Sequence, residues 1–178
     1  MKKSAFILGL LVCPMLFAQE KEPSEVKEIR SLYQKAKKEI QTTENKLSLN
    51  FQHRFTDDGE ERERPRTKGT LNAYFSDAKK DQLNMITYDW AGSIDGAFGY
   101  QEYLFKKDLV FVYAKEGAEG ATYELRCYFN SSQKAIHQKN TGEKVTMIFD
   151  SDNPNEQCQE LQQKATKLKN SIMTIYGY

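Results

Sequence analysis

Apolar residues recur every three or four positions in two segments, one near each end of the chain, and this spacing predicts two amphipathic helices. The N-terminal stripe consists of Val26, Ile29, Tyr33, Ala36 and Ile40. The C-terminal stripe consists of Cys158, Leu161, Ala165, Leu168, Ile172 and Ile175. Ser24 is a suitable N-cap for the first helix, which we expect to end near Thr43. Asp152 or Asn153 can cap the second helix, and Pro154 suits its first turn.

Between the two helices, apolar and polar residues alternate in short runs, as they do in strands with one buried face. The pattern predicts six or seven short strands, drawn from residues 47–55, 70–75, 83–90, 100–106, 109–114, 122–130, 135–138 and 145–149. Short connections favour antiparallel pairing, because parallel neighbours need crossovers of about a dozen residues or more. The predicted fold class is α+β, with an N-terminal helix, a meandering antiparallel sheet of six or seven strands and a C-terminal helix packed on the sheet. We expect both helices against one face.

Residues 1–18 have the layout of a cleaved export signal, with two lysines, an apolar run and a small last residue. Pro14 interrupts the apolar run, which is shorter than the roughly 20 residues that span a bilayer. We therefore expect an exported protein, located in the periplasm or at the cell surface, with no transmembrane span in its mature form. Residues 19–178 are predicted to form a single α+β domain. Lipoprotein anchoring through Cys13 is the less favoured alternative, because an apolar residue precedes it where a small one is usual.

The charge of the chain is nearly balanced. Its formal net charge is +1, and removal of the two lysines of the export signal lowers it to −1. Proteins that bind nucleic acid carry a marked basic excess, so nucleic acid is not an expected partner. The mature chain, at about 160 residues, is long enough to bury the core of one domain without depending on disulfides.

Two cysteines, Cys127 and Cys158, remain after export, and an even count in an oxidising compartment favours a disulfide. Strand alternation puts Cys127 on the same apolar face as Leu125 and Phe129, and Cys158 belongs to the apolar stripe of the C-terminal helix. If that helix packs on the sheet, both thiols face one interface. We therefore predict a Cys127–Cys158 disulfide. The alternative is a pair of buried free cysteines that behave as small apolar residues.

The sequence carries no catalytic or metal-binding motif of a known type. Its two histidines, His53 and His137, have no Cys, Asp or Glu at zinc-ligand spacing. Motifs for a nucleophile elbow, a P-loop or dinucleotide binding are absent. The acidic run at residues 150–153 is better explained as a helix cap than as a calcium loop, because Pro154 stands where an oxygen ligand is expected. We assign no metal, no cofactor and no catalytic residue, and a non-enzymatic role is favoured over an enzymatic one.

Aromatic residues crowd both sides of the glycine-containing loop at residues 91–97. They are Tyr88, Trp90, Phe98, Tyr100, Tyr103 and Phe105. Aromatic side chains give large contact areas at low entropic cost, and glycines let a ligand approach the backbone closely. This pattern indicates a binding edge for a sugar, a peptide or a protein partner, with the predicted ligand-binding residues Tyr88, Trp90, Asp95, Tyr100 and Tyr103. The alternative is that these rings are ordinary strand residues with one face in the core.

One helix segment and two strand segments carry a family resemblance. The segments are Ile29–Tyr33, Gln101–Phe105 and Leu109–Tyr113. Together with an export signal that ends Phe-Ala-Gln, they resemble small exported proteins of unknown function from Bacteroides-type bacteria. The resemblance implies a periplasmic or cell-surface location. It implies no activity, so no catalytic residue follows from it.

The leading hypothesis is a non-enzymatic envelope domain that binds a ligand or a protein partner through the sheet and the loop near Trp90. A related alternative is a secreted inhibitor of an enzyme. The other alternative is a hydrolase of envelope polymers with paired carboxylates such as Asp89, Asp95 or Glu102. That chemistry requires two acids within about 5–10 Å of each other.

Overall fold

The computed structural model describes residues 22–53, 56–57, 60–61, 67–76, 82–92, 96–142 and 153–176. Residues 1–18, predicted to be an export signal, lie outside the described residues, as do Asp95 and the strand predicted at residues 145–149. The described part begins with helix α1 (Ser24–Glu39) and ends with helix α2 (Pro154–Tyr176). The strands described between them are β1 (Lys46–His53), β2 (Thr56–Asp57), β3 (Glu60–Glu61), β4 (Thr67–Phe75), β5 (Leu83–Gly92), β6 (Phe98–Phe105), β7 (Leu109–Ala118), β8 (Ala121–Phe129) and β9 (Ala135–Gly142).

Seven of these strands form one sheet in the order β1-β4-β5-β6-β7-β8-β9, and every neighbouring pair is antiparallel. β2 and β3 pair with each other as a separate short hairpin. The prediction of an α+β fold with an N-terminal helix, a meandering antiparallel sheet and a C-terminal helix on the sheet is confirmed. β7 and β9 run further than predicted, to Ala118 and Gly142, because ladder pairing with β8 outweighs the weak strand propensity of their last residues.

The two helices pack on opposite faces of the sheet. α1 buries Val26, Ile29 and Ala36 in one core, whose strand residues are Met85, Leu104, Phe111 and Tyr128. α2 buries Cys158, Leu161, Ala165 and Ile172 in a second core, whose strand residues include Ile86, Tyr103, Val112 and Cys127. Neighbouring residues of one strand, such as Met85 and Ile86, belong to different cores. Because neighbouring residues of a strand point to opposite faces of the sheet, the two helices lie on opposite faces. The expectation that both helices share one face is wrong, because the central strands are apolar on both sides.

The second helix is fixed to the sheet covalently. Cys127 of β8 and Cys158 of α2 form a disulfide, with their Cα atoms 5.8 Å apart. Asn153 caps the helix, since its Oδ1 accepts a hydrogen bond from the backbone N–H of Asn155 at 3.0 Å. The buried stripe of α2 stops at Ile172, because Ile175 is 60% exposed.

The first helix starts and ends differently from the prediction. Ser24 is its first helical residue, and the N-cap is Pro23, whose carbonyl accepts a hydrogen bond from the N–H of Val26 at 3.1 Å. The helix ends at Glu39, before the turn that leads into β1. Within the described ranges, neither helix is long and apolar enough to cross a membrane.

Candidate functional site

A groove of about 840 Å³ crosses β1, β4, β5 and β6 on the face of the sheet where α1 packs, here called the α1 face. Each strand contributes two side chains: Asn50 and Gln52, Lys68 and Thr70, Asp89 and Ala91, and Phe98 and Tyr100. Ligand-binding pockets typically have volumes of about 300–1,000 Å³. The groove is therefore large enough to hold a small organic molecule or a short oligomer.

Strand register explains the shape of the groove. One row of paired residues is Asn50, Thr70, Asp89 and Tyr100, and the other row is Gln52, Lys68, Ala91 and Phe98. Residues paired across antiparallel strands share a face. The row between them, formed by Phe51, Gly69, Trp90 and Gly99, points its side chains to the opposite side, here called the α2 face. The backbone of this middle row is left as the floor of the groove.

Three aromatic rings at this end of the sheet lie directly over a glycine of the neighbouring strand. The pairs are Phe51 over Gly69, Trp90 over Gly99 and Phe98 over Gly117. If each glycine carried a Cβ atom, that atom would lie 2.5 Å from Cζ of Phe51, 2.8 Å from Cζ2 of Trp90 and 2.7 Å from Cζ of Phe98, respectively. Each aromatic residue is also the register partner of its glycine. Such distances leave no room for a methyl group, so the rings lie close against the neighbouring backbone. Phe98, on the α1 face, is 36% exposed and forms one end of the groove.

A buried carboxylate, Glu102, connects the groove to helix α1. It is 1% exposed and accepts hydrogen bonds from Tyr33 and Lys37 of α1 and from Tyr100 of the groove. Burial, reinforced by the hydrogen bond to Glu102, raises the pKa of each tyrosine hydroxyl, so both remain protonated donors at neutral pH. The Tyr100 side chain is therefore held in a fixed position in the groove wall.

The remaining groove side chains are polar and only partly engaged. Thr70 donates a hydrogen bond to the side-chain oxygen of Asn50 at 3.1 Å. The side chain of the half-buried Asp89 makes no hydrogen bond or ion pair with any other residue of the described ranges. Lys68 is exposed and brings a positive charge to the same surface. The groove thus presents a carboxylate that only accepts, a cation that only donates, and amide and hydroxyl groups that do both.

On the α2 face, the same end of the sheet carries a cluster of aromatic residues. Phe51 and Tyr88 stack with their ring centroids 5.1 Å apart and their planes 2° from parallel. Lys164 of α2 places its Nζ 4.1 Å from the centroid of the Tyr88 ring. Contact with the lysine ties this cluster to α2, so the cluster is part of the helix–sheet interface.

A buried polar network lies beside this cluster. Gln101 accepts hydrogen bonds from Lys164 at 2.8 Å and from the Tyr103 hydroxyl at 2.6 Å, and it donates one to Glu116 at 2.9 Å. The other Glu116 oxygen, Oε2, is buried and has no hydrogen-bond partner in the described part of the chain. Burial raises the pKa of Glu116 to about 7 and lowers the pKa of Lys164 to about 8. This network therefore titrates close to neutral pH.

The structure divides the five predicted ligand-binding residues. Tyr100 lies in the groove, whereas Tyr88 and Trp90 point their side chains to the α2 face, and only the backbone of Trp90 contributes to the groove floor. Tyr103 is fully buried in the core beneath α2. Asp95 lies outside the described residues. The set is therefore not brought together into one site.

Asp89 and Glu102 are two of the carboxylates in the hydrolase hypothesis, and both lie on the α1 face. Glu102 of β6 is paired with Thr87 of β5, and Asp89 is two residues further along β5, so the two carboxylates are diagonal neighbours. Diagonal neighbours are about 7–8 Å apart in antiparallel sheets, which falls in the range used by glycosidases. However, Glu102 is buried and already accepts three hydrogen bonds. At 1% exposure Glu102 is out of reach of a substrate in the groove, so the pair does not supply the acid and base that hydrolysis needs.

A second cavity, of about 360 Å³, lies between α1 and the turns that follow β6 and β8. Its floor includes Ile29 and Phe129, which belong to the two cores. At its rim, Lys106 faces Glu28 with 3.8 Å between the charged atoms. This cavity is less than half the volume of the groove, and its floor is shared with the two cores, so the groove is the better candidate for a ligand site.

Sequence reasoning missed the polar residues of the groove, Asn50, Gln52, Lys68 and Thr70. Their period-two spacing on β1 and β4 marks one face of each strand as polar, but that spacing is equally typical of strands that face solvent. Register across four strands was needed to bring them beside Tyr100.

In the part of the chain that the structure covers, no three His, Cys, Asp or Glu side chains converge to hold a metal ion. No family model, curated protein or solved structure matches this chain. The geometry and chemistry of the groove are therefore the basis for assigning a function.

Proposed function

We propose that this protein is an exported envelope domain that binds a polar small molecule or short oligomer in the groove on the α1 face. The observation that carries the proposal is the groove itself, about 840 Å³ in volume, with Asp89 unpartnered among the described residues and Tyr100 anchored in its wall. Pockets with a few convergent polar groups are the usual places for ligand binding.

The groove is preorganised, which supports a binding role. Its side chains stand on paired strands, where they are held more firmly than they would be on loops. Glu102 accepts a hydrogen bond from Tyr100 and is itself held by hydrogen bonds from Tyr33 and Lys37 of α1, so the Tyr100 side chain is fixed in the groove wall. Because groups that are already ordered lose little entropy when a ligand arrives, such a surface binds more tightly than a flexible one of equal size.

Binding is favoured over hydrolysis because only one of the two neighbouring carboxylates is accessible. Asp89 lines the groove, while Glu102 is enclosed by Tyr33, Lys37 and Tyr100.

The proposed location is the periplasm or the cell surface. Its support is the predicted export signal at residues 1–18 and the Cys127–Cys158 disulfide, which suits an oxidising compartment.

The proposal is tested by mapping ligand contacts with NMR. Isotope-labelled exported protein is titrated with neutral oligosaccharides, charged oligosaccharides, amino acids and short peptides. We expect one class to shift the amide resonances of β1, β4, β5 and β6 in the groove, and to leave those of β9 unchanged. A ligand whose shifts map elsewhere, or the absence of any response in the groove, contradicts the proposal.

A pair of aspartate variants gives the matched control. Asp89→Ala removes the carboxylate of the groove, whereas Asp108→Ala removes an exposed carboxylate in the turn after β6. Hydrogen bonds to a charged group contribute about 1.5–3 kcal/mol, so Asp89→Ala should weaken binding about tenfold or more. Asp108→Ala should bind like the unmodified protein.

A further inference from the structure

Resting on the proposed function, we infer that the ligand of the groove is a neutral oligosaccharide. One sugar ring stacks on Phe98, and its hydroxyl groups hydrogen-bond with Asp89 and with the side-chain amides of Asn50 and Gln52.

The position of the Phe98 ring suits a sugar. Gly117 of β7 lies beneath it, so one face of the ring is pressed against backbone, while the residue remains 36% exposed at the end of the groove. The negative face of an aromatic ring attracts the positive edges of C–H groups. One side of a pyranose ring is covered by such C–H groups, so a sugar matches this flat surface.

The mixture of polar groups in the groove also suits a sugar. Asp89 can only accept hydrogen bonds, Lys68 can only donate them, and Asn50 and Gln52 do both. Sugar hydroxyls donate and accept at the same time, so a neighbouring pair of hydroxyls can satisfy acceptor and donor side chains together. A volume of about 840 Å³ exceeds that of one sugar ring, which favours a short oligosaccharide.

The groove also disfavours charged ligands and peptides. The charged residues that line it in the described part of the chain, Asp89 on β5 and Lys68 on β4, have opposite signs, so together they favour neither a strongly anionic nor a strongly cationic ligand. Peptides that bind sheets through their backbone need unpaired strand groups. Of the four strands under this groove, β4, β5 and β6 are paired with strands on both sides, and β1 lies at an edge of the sheet as described, so the backbone across the middle of the groove is already paired.

The test compares two variants that remove an aromatic ring on opposite faces of the sheet. Phe98→Leu removes the flat ring of the groove but keeps an apolar side chain above Gly117. Tyr88→Leu removes a ring of the aromatic cluster on the α2 face, where the side chain does not line the groove. Affinities for neutral hexasaccharides of different linkage are measured by calorimetry, with contacts mapped by NMR and folding checked by thermal unfolding.

We expect a neutral hexasaccharide to bind in the groove, Phe98→Leu to weaken this binding about tenfold, and Tyr88→Leu to leave the affinity unchanged. Equal affinity of the Phe98→Leu variant and the unmodified protein overturns the stacking contact. Binding of charged oligosaccharides or peptides in the groove, without neutral ones, overturns the saccharide inference and leaves the proposed function standing. No response of the groove to any probe class overturns both.

Discussion

Replacing Glu116 with Gln should stabilise the protein at neutral and higher pH. The Glu116 side chain is 1% exposed, and burial raises its pKa to about 7 from an ordinary value of 4.5. Gln101 and the positive charge of Lys164 both lower this pKa but do not offset the burial. Gln has the same shape and no charge, and its side-chain oxygen can still accept the hydrogen bond from Gln101.

The magnitude follows from the two pKa values. Between pH 4.5 and pH 7, the folded protein holds a proton on Glu116 that the unfolded chain has released. The free energy of unfolding therefore falls by about 1.4 kcal/mol for each pH unit in this window, or about 3 kcal/mol in all. The Gln variant lacks this loss. Its free energy of unfolding should therefore be nearly equal to that of the unmodified protein at pH 4.5 and about 3 kcal/mol higher at pH 7.5.

The assay is urea unfolding followed by circular dichroism at pH 4.5, 5.5, 6.5 and 7.5. Glu119→Gln, which makes the same change at an exposed turn position, should follow the unmodified protein at every pH. Lys164 keeps its charge through most of this range, because its pKa is about 8. A difference between Glu116→Gln and the unmodified protein that does not change with pH would refute the reasoning, as would a variant that is less stable at pH 7.5.

Three further predictions concern stability. Replacing Cys127 and Cys158 together with Ala should lower the free energy of unfolding by about 4 kcal/mol, the loop-closure value for a separation of 31 residues, and reductant should have no further effect on that variant. Gly99→Ala should lower the free energy of unfolding by about 1–3 kcal/mol, because the new methyl group meets the ring of Trp90. An unchanged urea midpoint would show that the ring moves aside freely. Glu102→Gln should lower the free energy of unfolding by about 2 kcal/mol, since an amide with one acceptor oxygen replaces a carboxyl group that accepts three hydrogen bonds, and it should weaken ligand binding as well. Unfolding and calorimetry on the same sample would separate the two effects, and a variant that binds normally would contradict the link between α1 and the groove.

Features that depend on neighbouring residues could be predicted from the sequence. The stripe of α2 from Cys158 to Ile172 and the cap at Asn153 are set within one or two helical turns, and the structure has both. The pairing of Cys127 with Cys158 could also be predicted, because each residue lies on the inward side of its own element.

The placement of the helices could not be predicted in the same way. It depends on which faces of the central strands are apolar, and in β6 the run from Tyr103 to Phe105 is buried on both sides. A run of consecutive apolar residues has no period and so does not say which face belongs to which helix.

The groove could be predicted only in part. Tyr100 stood out as an aromatic residue beside a glycine-containing loop, but Asn50 and Lys68 reach it only through the register of β1, β4, β5 and β6. The Phe98–Gly117 pair has the same dependence, because the two residues are separated in sequence and meet across β6 and β7. Register is a property of the assembled sheet, and no local pattern in these strands determines it.

The central claim is that the groove on the α1 face is where the ligand binds, and filling the groove tests it most directly. Ala91→Trp places a large ring in the groove, while Ala135→Trp makes the same change at an exposed alanine of the edge strand β9. With the ligand class identified by NMR, calorimetry should show binding abolished by Ala91→Trp and unchanged by Ala135→Trp, with both variants folded. Binding of equal strength to Ala91→Trp would show that the ligand occupies another surface and would contradict the account.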